Sequence, residues 1–181
     1  MATVTNLGYP RIGPQRGLKR ASESFWNEKS SEEDLLGAGR ALRAGRWAVQ
    51  HARGIVHIPS NDFSVYDHVL DTSVMVGAIP RRFGWRGGLL DLSTYFAMAR
   101  GGSSESASAL DVPALEMTKW FDTNYHYLVP EFAPGQVFEL VSTKPIDEFV
   151  EAQELALHTR PVLVGPVTYL LLGKMTEGPG R

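Results

Sequence analysis

Short apolar runs alternate with helical patterns along this chain. Apolar segments at residues 6–12, 55–59 and 161–169 predict three strands, and a ring-rich segment at residues 116–132 predicts another between the second and the last. Polar residues gather just after the strands, and helical patterns follow them. Strand, loop and helix in this repeated order predict an α/β fold with a parallel sheet.

Helical periodicity and capping signals predict the helices between these strands. The second helix is expected to begin at a capping box of Ser30 with Glu33 and to end near Gly54, because glycine favours the backbone turn past a helix end. The segment at residues 101–109 has a low-complexity composition and is expected to be a mobile linker. The other predicted helices lie at residues 15–26, 69–75, 94–100 and 146–158.

The number of predicted strands indicates whether the chain forms a whole βα barrel or part of one. An eight-stranded βα barrel carries its site in the loops after the strands and typically takes about 250 residues. This chain has 181 residues and about four βα units, so the pattern predicts part of a (βα)8 TIM-type barrel, with residues 1–181 as a fragment of it. An open doubly wound sheet is disfavoured, because no Gly-x-Gly-x-x-Gly turn follows a strand and no Gly-Lys-Ser/Thr phosphate loop occurs.

The ring-rich predicted strand carries unusually many functional groups. In a strand, Asp122 and His126 share one face, and burying them costs free energy unless each finds partners. A buried polar network of these two residues with Asp62, Asp67 and His68 is the favoured interpretation. A strand that packs its rings inward and hydrates the rest is an alternative. An acid–base pair of Asp122 with His126, in an unrelated lyase or isomerase, is a weaker hypothesis.

Composition and charge exclude several functions. The net charge of −2, with scattered Lys and Arg, provides no basic field for nucleic acid. The chain has no cysteine, which excludes disulfides, zinc thiolates and a cysteine nucleophile. It has no export signal and no run long enough to span a membrane, so a cytoplasmic location is expected. The five histidines lack metal-ligand spacing, and no metal site is expected in this chain.

A basic cluster follows the first predicted strand. Arg16, Lys19 and Arg20 fall within the first turns of a helix, where residues three and four apart share a face and can meet one anion. Free backbone N–H groups at a helix start would add to the attraction. A solvated basic face without a ligand is the alternative interpretation.

Four longer motifs stand in one order along the chain. They are Leu7-Gly-Tyr-Pro-Arg-Ile-Gly13, Asn61-Asp-Phe-Ser-Val-Tyr-Asp-His-Val-Leu70, Glu116-Met-Thr-Lys-Trp-Phe-Asp-Thr-Asn-Tyr-His-Tyr127 and Pro161-Val-Leu-Val-Gly-Pro-Val-Thr168. Together they closely resemble the N-terminal part of the cobalamin-independent methionine synthases. The resemblance runs from about Leu7 to Lys174 and is weakest at residues 81–110.

The resemblance implies an enzyme of two (βα)8 barrels that transfers a methyl group from 5-methyltetrahydropteroyltri-L-glutamate to L-homocysteine, giving L-methionine without cobalamin. The family's folate residues fall on Arg16, Gly17, Leu18, Lys19 and Lys119. A polyglutamate tail is a string of carboxylates, which Arg binds bidentately and Lys binds as a point charge. Gly17 departs from the family, which commonly has Glu there.

The resemblance also implies that the chemistry lies outside this chain. In the family, a zinc ion with cysteine, histidine and glutamate ligands in the C-terminal barrel activates the homocysteine thiol, and this chain has no cysteine. Residues 1–181 are therefore expected to lack the zinc barrel and any catalytic residue. They are expected to contribute scaffold and part of the folate site, and to be inactive alone. The alternative is a non-catalytic, anion- or folate-binding half-barrel module that dimerises.

Overall fold

The helices are the longest elements of this protein. A computed structural model describes residues 2–102 and 111–176, and the predicted linker at residues 101–109 lies mostly outside the described residues. Within these ranges, every helix is too short or too polar to cross a lipid bilayer. The α-helices of the described residues are α1 (Gly17–Trp26), α2 (Glu32–Ala52), α3 (His68–Met75), α4 (Leu92–Arg100), α5 (Lys144–Glu154) and α6 (Pro166–Leu172).

The strands are short and form separate pairs. In the described part of the chain they are β1 (Ile58–Ser60), β2 (Met117–Lys119), β3 (His126–Leu128), β4 (Glu131–Phe132), β5 (Thr159–Pro161) and β6 (Lys174–Met175). The pairs β1–β5 and β4–β6 are parallel, and β2–β3 is antiparallel. The predicted α/β class is therefore confirmed. The described strands form three two-stranded pairs, one of them antiparallel, instead of one parallel sheet, and the described residues contain no closed barrel.

The chain divides into two compact units. The first unit comprises the residues up to Val65 together with Lys144–Leu163. The second unit comprises Tyr66–Thr143 together with the residues from Val164 onward. The first unit thus contains α1, α2, β1, α5 and β5, and the remaining helices and strands belong to the second.

A parallel layer forms the centre of the first unit. β1 pairs with β5, and Thr5 adds a parallel bridge to His57. Trp47 of α2 and Ala152 of α5 pack with Ile58 of β1 in one buried cluster. Burial of these apolar side chains is what fixes both helices on the strands.

The ends of α2 show how local signals set an element's boundaries. Ser31 is the N-cap: its hydroxyl accepts the Asp34 N–H at 3.1 Å, and the Asp34 carboxylate accepts the Ser31 N–H at 2.8 Å. The predicted box of Ser30 with Glu33 is wrong by one residue, because the same spacing of serine and acid occurs twice in succession. The predicted stop is confirmed, since Gly54 has a φ of 77° just after the helix.

The second unit has its own core, formed by α3, α6 and the strands. Within this core the Tyr169 hydroxyl donates to Ser73 Oγ at 2.8 Å. Burial raises the pKa of Tyr169 to about 12, so this hydroxyl remains a donor. The buried apolar members of the cluster are Val69, Ala78, Tyr127, Val129, Phe132 and Tyr169.

The other four predicted helices are also confirmed, with shifted ends. α1 starts later than predicted because a 3-10 turn, Pro14–Arg16, precedes it. α4 starts earlier because the Asp91 carboxylate accepts the Thr94 N–H at 2.7 Å and so caps the helix. α5 ends early at Glu154, and Ala156 just after it has a left-handed φ of 56°.

The strand predictions are less accurate than the helix predictions. Residues 6–12 form no strand. The strand predicted at residues 55–59 is observed as β1, shifted along the chain. The segment at residues 161–169 is not one strand: after β5 it becomes α6, with Gly165 as N-cap and Pro166 as the first helical residue. Proline favours that position, and an apolar run alone does not distinguish a strand from a helix.

The single strand predicted at residues 116–132 is also wrong. β2 and β3 form a hairpin whose turn is closed by the Trp120 N–H, which donates to the Tyr125 carbonyl at 2.7 Å. Phe121 in the turn has a φ of 49°. The alternating faces of a strand therefore do not apply to the residues between Trp120 and Tyr125.

Candidate functional site

The basic cluster begins in a turn whose first position requires glycine. Gly13 has a φ of 74°, and a Cβ there would lie 2.3 Å from Leu42 Cδ2 of α2. Gln15 and Arg16 follow with φ values of 52° and 59°. Such values are uncommon for residues with side chains and cost about 1–3 kcal/mol each. Close packing against α2 therefore sets the backbone path that leads to Arg16.

The first backbone amides at this helix start are already hydrogen-bonded. The Arg16 N–H donates to the Gly13 carbonyl at 3.3 Å. The Leu18 N–H donates to the Ile12 carbonyl at 3.0 Å, and the Gly17 N–H donates to the first residue of the 3-10 turn. The expectation of free amides is therefore wrong at these three positions, and none of the three amides adds to the attraction for an anion.

The four predicted folate residues at this helix start differ in what they offer. Arg16 and Lys19 are exposed. Leu18 is a core residue with 3% exposure. Gly17 has an ordinary helical φ of −54°, and a Cβ there would lie 3.6 Å from Leu42 Cδ2, a normal contact. The backbone therefore does not require glycine at position 17, and two cationic side chains remain as the groups that can meet a ligand.

The basic side chains on this face make only weak interactions with neighbouring residues. Lys19 Nζ lies 3.6 Å from Glu23 Oε1, with the two side chains 51% and 47% exposed. Arg20 Nη2 donates to Gln15 Oε1 at 3.2 Å. Exposed ion pairs of this kind contribute only about 0–1 kcal/mol. Lys19 can therefore exchange Glu23 for a ligand carboxylate at small cost.

A buried ion pair holds the segment that precedes this turn. Arg46 of α2 is 5% exposed and pairs with Asp62, which follows β1. Arg46 Nη2 also donates to the Tyr9 carbonyl at 2.7 Å, and the Tyr9 N–H donates to Asp62 Oδ2 at 2.8 Å. Arg11 Nη1 donates to the Ser64 carbonyl at 3.0 Å. The segment is thus fixed both by α2 and by the loop after β1.

Burial and charge oppose each other at Arg46. Loss of water lowers the pKa of the Arg46 guanidinium, whereas Asp62 and then Glu148 raise it. Arg46 Cζ lies 5.5 Å from the ring centroid of Tyr9 and 5.6 Å from that of Phe63. These cation–π contacts stabilise the charged form and offset part of the desolvation cost.

A second polar cluster fixes the carboxyl end of β1. Glu148 Oε2 accepts the Asn61 N–H at 2.9 Å, and Glu148 Oε1 lies 3.0 Å from Lys144 Nζ. Lys144 also donates to Asn61 Oδ1 at 2.8 Å. Arg43 Nη2 of α2 pairs with Glu151 Oε2 at 2.6 Å. The two cations and two carboxylates balance, so this cluster holds the loop rather than attracting an ion.

Lys119 is the last residue of β2, in the second unit. Its side chain is exposed, and it stands opposite His126 in the hairpin. The turn begins at the next residue and carries Phe121, which is 71% exposed. Lys119 therefore presents its amino group to solvent at the turn end of the hairpin.

One buried carboxylate joins this hairpin to α3. Asp67 is 3% exposed, and its Oδ2 accepts the Leu70 N–H at 2.9 Å and the Leu128 N–H at 3.2 Å. Asp67 Oδ1 accepts the Tyr125 hydroxyl at 2.6 Å. The Tyr125 oxygen lies 2.9 Å from His68 Nδ1. Asp67 thus caps α3 and binds β3 with the same side chain.

An ion-pair group lies where β4 meets β6. Glu131 is 9% exposed and pairs with Arg82. Lys174 Nζ lies 2.7 Å from Glu116 and 3.8 Å from Glu131. The hydrogen bond to Glu116 raises the pKa of Lys174. These charges pair with each other and stabilise the parallel strand ends.

The predicted buried network does not exist as one network. Asp62 pairs with Arg46 in the first unit. Asp67 and His68 are linked through Tyr125 in the second unit. Two separate clusters therefore replace the single cluster that the sequence predicted.

Asp122 and His126, the remaining members of that prediction, are exposed. His126 Nδ1 lies 3.1 Å from the Asn124 carbonyl oxygen, and within residues 111–176 no ion pair or hydrogen bond joins His126 to Asp122. Among the described residues no group of three or more His, Asp or Glu side chains is arranged to hold a metal ion. The acid–base hypothesis therefore has no geometric support.

Sequence reasoning missed Arg46 and Tyr125. For Arg46 a signal existed, because the buried residues of α2 recur at helical spacing and include Leu35, Gly39, Arg46 and Gln50. A charged residue in such a stripe needs a buried partner. For Tyr125 no local signal existed, since its partner Asp67 is 58 residues away in the chain.

Comparison with known proteins gives one consistent result. A family model described as "Cobalamin-independent synthase, N-terminal domain" matches residues 3–180. The 5-methyltetrahydropteroyltriglutamate–homocysteine methyltransferase of Caulobacter vibrioides is 59% identical over 184 residues, which cover 95% of this chain and 24% of the relative. The protein of the same name from Rhodopseudomonas palustris is 60% identical over 96% of this chain and 24% of its own length. The chain spans about a quarter of the length of these relatives.

Proposed function

Because the chain belongs to the family of the N-terminal domain of cobalamin-independent synthases, we propose that it forms part of a cobalamin-independent methionine synthase. The reaction is methyl transfer from 5-methyltetrahydropteroyltri-L-glutamate to L-homocysteine, giving L-methionine. The observation that carries this proposal is identity of 59% and 60% to relatives named for that reaction. In this proposal the protein works in the cytoplasm, and residues 1–181 belong to the first of two (βα)8 barrels.

The strand arrangement supports the barrel assignment. β1 and β5 are parallel, Thr5 adds a parallel bridge beside β1, and β4 and β6 are also parallel. In a barrel of this kind the loops after the strands carry the site. The buried carboxylates Asp62 and Asp67 both lie in the loop that follows β1.

Within that enzyme, this chain supplies scaffold and part of the site for the folate polyglutamate tail. Each unit has its own candidates for this role, which are Arg16 and Lys19 in the first unit and Lys119 in the second. Leu18 anchors the helix start in the core, and Gly17 contributes backbone only. A string of carboxylates suits this set, because Arg offers bidentate hydrogen bonds and Lys a mobile point charge.

Homocysteine and zinc belong, in this proposal, to the part of the full-length relatives that the chain does not match. Zinc would supply Lewis-acid activation of the thiol there. The donor set of this chain does not fit such a site, since the chain has no cysteine and its described residues contain no cluster of metal ligands. The role of this chain is therefore to bind and orient the folate.

The folate-tail assignment is tested in a full-length methyltransferase built with this chain as its N-terminal domain. We expect Arg16→Ala together with Lys119→Ala to raise KM for the triglutamate folate by about tenfold, because each exposed charge pair contributes up to about 1 kcal/mol and about 1.4 kcal/mol corresponds to a factor of ten. KM for the monoglutamate folate should change little. Steady-state kinetics with both folates measure the difference.

A matched control removes the same charge elsewhere. Lys29 and Arg53 are exposed cations at other positions of the first unit, and Lys29→Ala with Arg53→Ala should leave both KM values unchanged. Equal loss of affinity for the two folates in the Arg16 and Lys119 variant would contradict the tail assignment.

Exposed apolar side chains keep a second candidate function open. Val167 and Leu171 of α6 are 70% and 81% exposed, and such surfaces favour burial against another protein surface. A non-catalytic, folate-binding half-barrel that dimerises would bury these side chains in its dimer interface. Native mass spectrometry of this chain with pteroyltriglutamate tests this candidate: a folate-binding dimer favours the module, and a monomer contradicts it.

A further inference from the structure

The hairpin that presents Lys119 is too small to hold its own shape. β2 and β3 have three residues each, and an isolated two-stranded hairpin is marginally stable in water. Its turn contains Phe121 at a φ of 49°, a conformation that costs free energy. The position of Lys119 therefore depends on contacts outside the hairpin.

Asp67 provides the central contact of this kind. Its carboxylate accepts the Leu128 N–H of β3 and the Tyr125 hydroxyl, while it also caps α3 through the Leu70 N–H. We propose that Asp67, Tyr125 and His68 are positioning residues that hold Lys119 where it meets a carboxylate of a polyglutamyl folate. This inference rests on the folate-tail function proposed above for Lys119.

The hydrogen bonds of Tyr125 have one consistent direction. Its hydroxyl carries a single proton, and the short 2.6 Å contact assigns that proton to the hydrogen bond with Asp67 Oδ1. The Tyr125 oxygen then accepts from His68 Nδ1 at 2.9 Å, which assigns the ring proton of His68 to Nδ1. His68 is thus the donor that keeps the Tyr125 hydroxyl turned toward Asp67.

Ring contacts connect His68 and Tyr127 to Trp120, the residue next to Lys119. The Trp120 ring centroid lies 5.3 Å from that of His68 and 5.8 Å from that of Tyr127. The Trp120 N–H also donates to the Tyr125 carbonyl at 2.7 Å. Displacing Tyr125 or His68 therefore displaces Trp120, and Lys119 moves with it.

The kinetic consequence should be selective for the tail. Lys119 binds a part of the substrate that does not react, so its misplacement removes binding shared by the ground state and the transition state. Such a loss raises KM and leaves kcat unchanged. The monoglutamate folate lacks the additional carboxylates of the tail, so its KM should not respond.

Tyr125→Phe tests the inference because it removes one hydroxyl and keeps the ring. In the full-length methyltransferase we expect a several-fold rise in KM for the triglutamate folate, with kcat and KM for the monoglutamate folate unchanged. In a Lys119→Ala background, Tyr125→Phe should add little, since it acts through the side chain already removed. Tyr169→Phe is the matched control, because its hydroxyl bonds Ser73 and not the hairpin.

Variants of His68 provide a second, independent test. His68→Asn keeps a donor near the place of Nδ1 and should retain the preference for the triglutamate folate, whereas His68→Ala should lose part of it. A rise in both KM values with Tyr125→Phe, or an effect fully additive with Lys119→Ala, would indicate a merely structural role and overturn the inference.

The same kinetics separate this inference from the function on which it rests. If Lys119→Ala weakens the triglutamate folate and Tyr125→Phe does not, the positioning role is overturned while the tail assignment stands. If Lys119→Ala leaves KM for the triglutamate folate unchanged, the tail assignment of Lys119 itself fails.

Discussion

Asp62 and Asp67 lie in the same loop between β1 and α3, and both side chains are at most 5% exposed, yet they are stabilised in different ways. Asp62, in the first unit, pairs with the guanidinium of Arg46. Asp67, in the second unit, accepts two backbone N–H groups and the Tyr125 hydroxyl. One carboxylate thus depends on a buried opposite charge, and the other on neutral donors.

This difference between Asp62 and Asp67 predicts how much stability each unit loses when its buried carboxylate is neutralised. Breaking a buried ion pair leaves the surviving charge buried and uncompensated, so each partner depends on the other. Neutral donors that lose a carboxylate lose one hydrogen bond each and carry no net charge. We therefore expect the first unit to respond more strongly than the second when its buried carboxylate is neutralised.

The largest effect is expected from Asp62→Asn. It leaves the Arg46 charge buried without its counter-charge, and we expect a loss of about 3–5 kcal/mol in the stability of the first unit. Hydrogen exchange of the α2 amides measures this loss. Adding Arg46→Met should recover part of it, because both charges are then gone, and a double variant as unstable as the single one would contradict the ion-pair explanation.

A smaller effect is expected from Asp67→Asn. The amide side chain keeps one oxygen as an acceptor but loses the charge that strengthens its hydrogen bonds, and we expect a loss of about 1–3 kcal/mol. Exchange of the Leu70 and Leu128 amides, whose N–H groups bond Asp67, reports it directly. A loss as large as that of Asp62→Asn would remove the distinction between the two units.

The smallest effect is expected where the carboxylate is exposed, at the cap of α2. Hydrogen bonds from the side chain and backbone of Ser31 lower the pKa of Asp34 from 3.8. A lowered pKa in the folded state means that this contribution is present above the unfolded pKa and is lost as pH falls through the folded pKa. Ser31→Ala should therefore weaken exchange protection in the first turn of α2 a few-fold at neutral pH.

The pH dependence provides the check on that cap. The difference between Ser31→Ala and the unchanged protein should shrink as pH falls through the lowered folded-state pKa of Asp34, because only below that pKa is the carboxyl protonated in both proteins. A difference that stays constant down to pH 2 would show that the Asp34 charge plays no part.

The sequence predicted helices better than strands, for physical reasons. Helix signals are local: the Gly54 stop and the spacing of serine and acid at the start of α2 lie within one turn of the helix they bound. Strand signals depend on partners, and β1 meets its partner β5 only about 100 residues later. The Gly165-Pro166 pair was a local signal for a helix start, and the apolar character of its neighbours concealed it.

The candidate site shows the same division. Arg16 and Lys119 were predicted from the resemblance to the family, and both side chains are exposed. Their role in folate binding stays a prediction. For Arg46 the buried stripe of α2 was a signal, but its partner Asp62 is set by tertiary packing. The Asp67–Tyr125 contact had no local signal, because its two residues are 58 positions apart in the chain.

The discontinuity of the first unit has a consequence for synthesis on the ribosome. β1 lies at Ile58–Ser60 and its partner β5 at Thr159–Pro161, and translation at about 5–20 residues per second separates them by roughly 5–20 seconds. During that delay one edge of β1 remains unpaired because β5 has not been synthesised, while the residues of the second unit emerge. Pro59 lacks an N–H and so makes this waiting edge a poorer template for a wrong strand.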